Sequence, residues 1–221
     1  MIPLLRHGFR NDEPITEAQV REATVCYWAL ISHLDHQIGR LLSAIPDDTV
    51  VIYTSDHGEM VGHHGIWQKQ CFYEPAVRIP LLLRHPALSP ARTTSHVSLV
   101  DVLPTLRDIA GLPPDPTLPG HTLLDPTDRP VLSEYHAQGM PDAGYMLKSG
   151  PWKYTYYGPA HEPQLFNTDA DADPNELNNL SVNTHLTEKL HAELTSILDP
   201  DKTNNQAKAN QAARAHTPPR L

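Results

Sequence analysis

Apolar and polar positions along the chain change their spacing several times, and each change predicts a different element. The longest regular stretch starts at a capping box, with Thr16 followed three residues later by Gln19. From there to about Ile45, apolar residues recur every three or four positions, which predicts one long amphipathic helix that Pro46 ends. The repeating apolar positions are Val20, Ala23, Tyr27, Leu30 or Ile31, Leu34, Ile38, Leu41 or Leu42, and Ile45.

Two short apolar runs follow that helix. Residues 50–54 are β-branched or aromatic, which favours a strand buried on both faces, as in a parallel sheet. Residues 80–84 predict the next buried strand. Residues 98–109 return to helical spacing, with Pro104 expected in or near the first turn, where proline is tolerated, and Gly111 as the stop.

The last part of the chain is organised differently. Residues 112–129 are rich in proline and mark a boundary. Four short strand candidates at residues 131–135, 145–148, 152–157 and 164–166 then predict a small antiparallel sheet, and residues 184–198 predict a final helix. We therefore expect a domain over residues 1–112, a linker over 113–130, a subdomain over 131–198 and, because few large apolar residues follow, a disordered tail over 199–221.

Composition narrows the class of protein. With 17 basic and 26 acidic residues, the formal net charge is −9, which argues against a nucleic-acid-binding surface. No apolar run is long enough to span a bilayer, so we expect no membrane partner. The first residues lack the pattern of a signal peptide, so the sequence as written suggests a cytoplasmic protein, although the compartment stays open. The 2 cysteines predict no disulfide framework.

Candidate chemistry lies directly after the first predicted strand, in Ser55-Asp56-His57-Gly58-Glu59. Ligands of open α/β sheets bind just beyond the carboxyl ends of strands. Asp56 and His57 at such a position can direct two donor atoms at one cation, and Gly58 would let the chain turn away after them.

The surrounding text, SDHGEMVGHHGIWQKQCFYEPAVRIPLLLRHP, resembles the second half of a sulfatase, a family of the alkaline-phosphatase-like superfamily. The strings CYWALISHLDHQIGRLL, SLVDVLPTLRDIAG and YMLKSGPWKYTYYGPAHEPQLFNTDADADPNELNNLS extend the resemblance over about residues 15–198. It implies an α/β fold, namely part of an alkaline-phosphatase-like sheet flanked by helices, plus a small C-terminal antiparallel sheet with a terminal helix.

The resemblance also implies roles for individual residues. Asp56 and His57 correspond to two of the four protein ligands of a divalent cation, with Ca²⁺ expected first and Mn²⁺ or Zn²⁺ possible. Lys69 corresponds to the catalytic lysine that contacts the sulfate of a small-molecule sulfate ester. His64 is a further candidate for substrate binding. His63, His64 and Glu59 stay open between shaping the loop and belonging to the site.

Other parts of a sulfatase centre are absent from the sequence. The family makes its formylglycine nucleophile from Cys or Ser in C/S-x-P-x-R, and neither Cys26, Cys71 nor Ser89 stands in that motif. The family's N-terminal Asp pair is also absent. We therefore expect a C-terminal portion whose partner is the missing N-terminal half, and which alone is inactive and tends to aggregate.

Three other functions stay open on the sequence. Phosphonate monoester and phosphodiester hydrolases of the same superfamily also use an Asp-His pair, and some carry a lysine at the same spacing. A remnant or interaction module that has lost its chemistry would keep the same fold. A metalloenzyme similar to phosphoglycerate mutase fits less well, because the WKY…LF…DP-x-E text is unlike it.

Overall fold

The chain forms two compact units in the computed structural model, one ending at Ala91 and the other beginning at Arg92. The structure describes residues 15–136, 142–169 and 171–215. Each unit is taken by itself below. The domain boundaries drawn from the sequence stay a prediction.

The N-terminal unit opens with helix α1, Glu17–Leu42. Its start confirms the predicted capping box, because the Thr16 side chain accepts the backbone N–H of Gln19 while the Gln19 side chain accepts that of Thr16. No residue of α1 is buried, and apolar side chains such as Trp28 and Leu34 are exposed. Within the described part of the chain, neither α1 nor any other helix is long and apolar enough to cross a membrane.

Strands β1, Val51–Thr54, and β2, Leu81–Arg84, form a two-stranded sheet. The pairing is antiparallel, with Val51 opposite Arg84 and Thr54 opposite Leu81, so the expectation of a parallel neighbour was wrong for the described residues. The strands are also only partly buried rather than covered on both faces. A run of β-branched residues predicts an extended backbone, but it does not predict the direction of the partner strand.

The segment between these strands has its own small core. A turn of 3₁₀-helix, His63–Gly65, and a short helix α2, Glu74–Val77, lie along it. The buried side chains of this core include those of Met60, Ile66, Cys71 and Ala76. This core lies immediately after β1 and therefore supports the residues that the sequence predicts to carry the chemistry.

The C-terminal unit begins with a 3₁₀ turn, Leu99–Asp101, that leads into helix α3, Val102–Ile109. Pro104 falls in the first turn of α3, as predicted from the sequence. Asp101 is almost fully buried, and its carboxylate accepts the backbone N–H groups of Ser98 and His121, each at 2.8 Å. It also pairs with the guanidinium of Arg129. Asp101 therefore ties α3 to the segment that follows it.

The predicted small antiparallel sheet is confirmed. Its strands are β3, Val131–Tyr135, β4, Gly144–Ser149, β5, Trp152–Tyr156, and β6, Gln164–Asn167, paired in chain order. Helix α4, Thr184–Ile197, packs against it through Leu190 and Leu194, which join Leu147 and Leu165 in one core. The helix predicted over residues 184–198 is thus present with nearly the predicted bounds, but it is not the last helix of the described residues.

The predicted disorder of residues 199–221 was wrong for residues 200–215, because Pro200–Ala215 form helix α5. Residues 216–221 lie outside the described residues. This helix is held by polar contacts rather than by a buried apolar face. Asn204 accepts the backbone N–H of Ala143 at 3.1 Å, and the Lys208 ammonium lies 2.7 Å from the Asp142 carboxylate. Such pairs join residues far apart in the chain, so local composition does not reveal them.

Candidate functional site

Asp56 and His57 follow the end of β1 and lie side by side. The distance from Asp56 Oδ2 to His57 Nε2 is 3.4 Å, and the Asp56 side chain is 83% exposed. The other carboxylate oxygen, Oδ1, accepts the backbone N–H of His57 at 2.9 Å. That hydrogen bond fixes the carboxylate so that Oδ2 and the imidazole share one side of the turn.

Two hydrogen bonds fix the imidazole and the peptide beside it. His57 Nδ1 lies 2.8 Å from the carbonyl oxygen of Gly58. Because a carbonyl oxygen can only accept, this contact places a proton on Nδ1 and leaves Nε2 with a free lone pair when the ring is neutral. The Ser55 hydroxyl donates to the carbonyl of His57 at 2.8 Å. This role of Ser55 was not predicted, because a serine after a strand carries no distinguishing pattern.

The spacing of the two donor atoms fits a shared cation. Two atoms at about 2.3–2.6 Å from one Ca²⁺, at a right angle, lie about 3.3–3.7 Å apart. Tetrahedral Zn²⁺ at about 2.0–2.1 Å gives about 3.3–3.4 Å, so the observed separation does not choose between the two ions. Among the described residues, no group of three or more His, Cys, Asp or Glu side chains converges for a metal. The pair fits as part of a ligand set.

Lys69 is exposed and contributes to the electrostatics of this pair. The hydrogen bond from the His57 backbone is the largest influence that lowers the pKa of Asp56 below its ordinary value, with smaller contributions from the charges of His57 and Lys69. Asp56 is therefore ionised at neutral pH, as a cation ligand must be. The lysine is close enough for its charge to be felt at the predicted ligand.

His64 is held by a different neighbour. Its ring stacks on that of Tyr73, with centroids 4.0 Å apart and planes 13° apart. Its backbone has a φ of 55°, which is uncommon for a residue other than glycine. The structure therefore gives His64 a loop-shaping contact, while its predicted role in substrate binding stays a prediction.

Gly58 matters through close packing rather than through a left-handed turn. Its N–H donates to the carbonyl oxygen of Ala76 at 2.8 Å, which joins the residues after β1 to α2. A Cβ at this position would lie 2.0 Å from the carbonyl oxygen of Pro75. Only glycine permits this approach, so the flexible-turn explanation drawn from the sequence is replaced by a steric one.

Two family models match the chain. The sulfatase model matches residues 5–112, and a model described as N-sulphoglucosamine sulphohydrolase, C-terminal, matches residues 62–204. Together they span both compact units.

Similar curated proteins include the choline-sulfatase of Rhizobium meliloti, which is 37% identical over 182 residues and matches 76% of this chain and 35% of the relative. Arylsulfatase K of Mus musculus is 35% identical over 212 residues and matches 86% of this chain and 38% of the relative. The chain thus spans less than two fifths of the length of either relative.

Solved structures agree with the fold. A phosphonate monoester hydrolase of Agrobacterium radiobacter aligns with a TM-score of 0.72 at 25% identity, covering 82% of this chain and 42% of that one. A protein solved with its substrate D-glucosamine-2-N,6-O-disulfate aligns with a TM-score of 0.65 at 27% identity, covering 91% and 45%. The expected α/β fold of this superfamily is confirmed, and the chain belongs to the sulfatase family.

Proposed function

We propose that this chain is the C-terminal portion of a sulfatase-type, metal-dependent hydrolase of sulfate esters. Asp56 and His57 supply two ligands of a divalent cation, and Lys69 contacts the sulfate. The observation that carries the proposal is the 3.4 Å separation of Asp56 Oδ2 and His57 Nε2 beyond the end of β1. The names of the relatives support sulfate esters as the substrate class.

Each residue has a defined task in this proposal. A cation at the pair would polarise a sulfate oxygen and so favour attack on sulfur. The Asp56 carboxylate supplies negative charge that offsets the cation, and its low pKa keeps it ionised. Nδ1–H of His57 donates to Gly58, which aims the free Nε2 outward. The Lys69 ammonium stabilises the negative charge of the sulfate as the ester bond breaks. His64 borders the substrate.

The nucleophile and the remaining cation ligands come from another polypeptide segment in this proposal. The sequence carries no C/S-x-P-x-R motif, and the relatives are more than twice as long as the matched region. Without a nucleophile there is no covalent intermediate, so we expect no turnover by the 221-residue chain alone. Ca²⁺ remains the first choice for the cation, with Mn²⁺ and Zn²⁺ as alternatives.

Exposed apolar surface in the N-terminal unit supports this need for a partner segment. A cavity of about 950 Å³ lies among α1, the two strands and the turn after β1. Apolar side chains such as Ile31, Leu34 and Leu82 line it, and each of these three is at least 40% exposed. A surface of this kind marks an interaction site or an aggregation liability. His57 also borders this cavity, so a segment docked there would reach the cation ligands.

Hydrolysis of p-nitrophenyl sulfate tests the proposal. The chain alone is expected to show no turnover, whereas a fusion to the portion of the Rhizobium meliloti choline-sulfatase that it does not match should be active. In the fusion, Lys69→Ala should lower kcat/KM by about 10²–10³-fold. Lys189→Ala, which removes an exposed lysine of α4, should leave it unchanged. A folded, active fusion that is indifferent to Asp56→Ala and Lys69→Ala would refute the assigned roles.

A second candidate function is hydrolysis of phosphonate monoesters or phosphodiesters, which the Agrobacterium radiobacter structure favours. Sulfate and phosphonate groups share a tetrahedral array of oxygens, so Asp56, His57 and Lys69 would serve either. The same fusion tested with p-nitrophenyl phenylphosphonate separates them by the ratio of kcat/KM values. A folded fusion that hydrolyses neither ester would favour a non-catalytic interaction module.

A further inference from the structure

The loop that leads from the Asp56–His57 pair to Lys69 has an unusual backbone. Three residues other than glycine adopt positive φ in it, namely Val61 at 46°, His64 at 55° and Gln68 at 72°. Such angles cost about 1–3 kcal/mol each and persist only where neighbouring groups hold them. For Val61 the cost is greater still, because a β-branched side chain is rare in this region.

One side chain holds two of these three residues. Glu59 Oε1 accepts the backbone N–H of Gln68, and the same oxygen lies 3.4 Å from the backbone nitrogen of Val61. The backbone of Met60 adds a bond from its N–H to the carbonyl oxygen of Gln68 at 2.9 Å. Glu59 therefore closes the loop across nine residues, at the amides of two of the three residues with positive φ.

The closure acts directly on Lys69, which follows Gln68. The backbone carbonyl of Lys69 accepts the N–H of Cys71 at 2.8 Å, and its own N–H lies 3.4 Å from Oε1 of the buried Gln70 side chain. The backbone of Lys69 is thus held from both sides, while its side chain stays exposed. The position of its ammonium relative to Asp56 depends on how residues 59–68 are folded.

We propose that Glu59 is a positioning residue, whose carboxylate closes the loop over residues 59–68 and so presents the Lys69 ammonium beside Asp56 and His57. The inference rests on the proposed function for the role of Lys69 as the sulfate contact. Glu59 acts by hydrogen-bond reach and not by its charge. The hydrogen-bond partners described for its carboxylate are the backbone N–H groups of Val61 and Gln68 rather than Asp56 or His57.

Three variants of the full chain separate reach from charge. Glu59→Gln keeps the length of the side chain and an oxygen acceptor but removes the charge. Glu59→Asp keeps the charge but is one methylene too short to reach Gln68. Glu59→Ala removes both. Positioning by reach predicts that the Gln variant behaves like the wild type and that the Asp and Ala variants behave alike.

Two NMR readouts report the outcome. Backbone order parameters over residues 61–69 should stay near 0.85 in the wild type and Glu59→Gln, and fall below about 0.6 in the other two variants. The second readout is titration with inorganic sulfate, followed at the Lys69 side chain. The affinity for sulfate should fall by about fivefold or more in the Asp and Ala variants only, which corresponds to about 1 kcal/mol of binding free energy. Loss of order without loss of sulfate affinity would reduce Glu59 to a structural residue and overturn the proposal.

Other outcomes of these experiments also decide whether the proposal for Glu59 holds. Unchanged order and affinity in Glu59→Ala overturn the proposal, and so does a Gln variant that fails while the Asp variant is normal, since charge would then be the cause. If Glu59→Ala unfolds the N-terminal unit, the comparison of the Gln and Asp variants decides instead. If sulfate does not bind at Lys69 in the wild type, the proposed anion contact fails, and the order parameters alone decide whether Glu59 positions the loop.

Discussion

Replacing Asp101 with alanine is expected to destabilise the C-terminal unit by about 3–5 kcal/mol. The carboxylate is 2% exposed, accepts two backbone N–H groups and pairs with Arg129. Truncation would leave the N–H groups of Ser98 and His121 without their acceptor and the Arg129 guanidinium without its counterion. Hydrogen exchange at the amides of Leu147 and Leu165, in the core of the same unit, measures the change.

Asp108→Ala is the matched control for this substitution. Asp108 lies in α3, the helix that follows the turn carrying Asp101, and it is exposed. Among the hydrogen bonds described for its side chain, it accepts only that of the Thr122 hydroxyl, at 2.8 Å. Its loss should change the unfolding free energy by no more than about 0.5 kcal/mol. Equal effects of the two substitutions would show that burial of Asp101 does not organise this unit.

Gly58→Ala should destabilise the N-terminal unit by about 1–3 kcal/mol, because the added Cβ meets backbone atoms that cannot rotate away. The carbonyl oxygen of Pro75 lies 2.0 Å from the ideal Cβ position. Relief requires movement of either α2 or the turn that carries Asp56 and His57. Exchange at the amides of Met60 and Gly62, which bond across the loop, should accelerate accordingly.

Gly39→Ala is expected to have the opposite effect on the stability of the same unit. Gly39 lies inside α1, and a Cβ there meets nothing within 4 Å. Alanine should therefore stabilise α1 by about 0.5–1 kcal/mol through its better helix propensity. A Gly58→Ala variant as stable as Gly39→Ala would contradict the packing described after β1.

Local sequence patterns were sufficient for much of the fold. The capping box at Thr16 and the spacing of apolar residues located α1, and proline-punctuated short runs located the four-stranded sheet. These features are decided by neighbours a few residues apart. The direction of the β1–β2 pairing and the existence of α5 were missed, because both depend on contacts between residues far apart in sequence.

At the candidate site, too, features set by neighbouring residues could be predicted, whereas those set by distant contacts could not. The position of Asp56 and His57 directly after a strand was readable from the chain, and the structure brings their side chains to 3.4 Å. The closing contact of Glu59 could not be predicted from the sequence, because it joins the Glu59 carboxylate to the backbone N–H of a residue nine positions later, and such a pair has no sequence signature. The steric demand at Gly58 was likewise hidden, because it arises from Pro75 on a separate element.

Mn²⁺ titration of the 221-residue chain, followed by paramagnetic broadening of histidine ring signals, tests most directly whether Asp56 and His57 share a cation. His57 is predicted to broaden at lower Mn²⁺ concentration than His33 and His36, which are exposed on α1. Asp56→Asn should remove this preference, whereas Asp115→Asn, at another aspartate with a lowered pKa, should not. Broadening of His57 no earlier than of His33 and His36, or unaffected by Asp56→Asn, would contradict a cation site shared by the two residues.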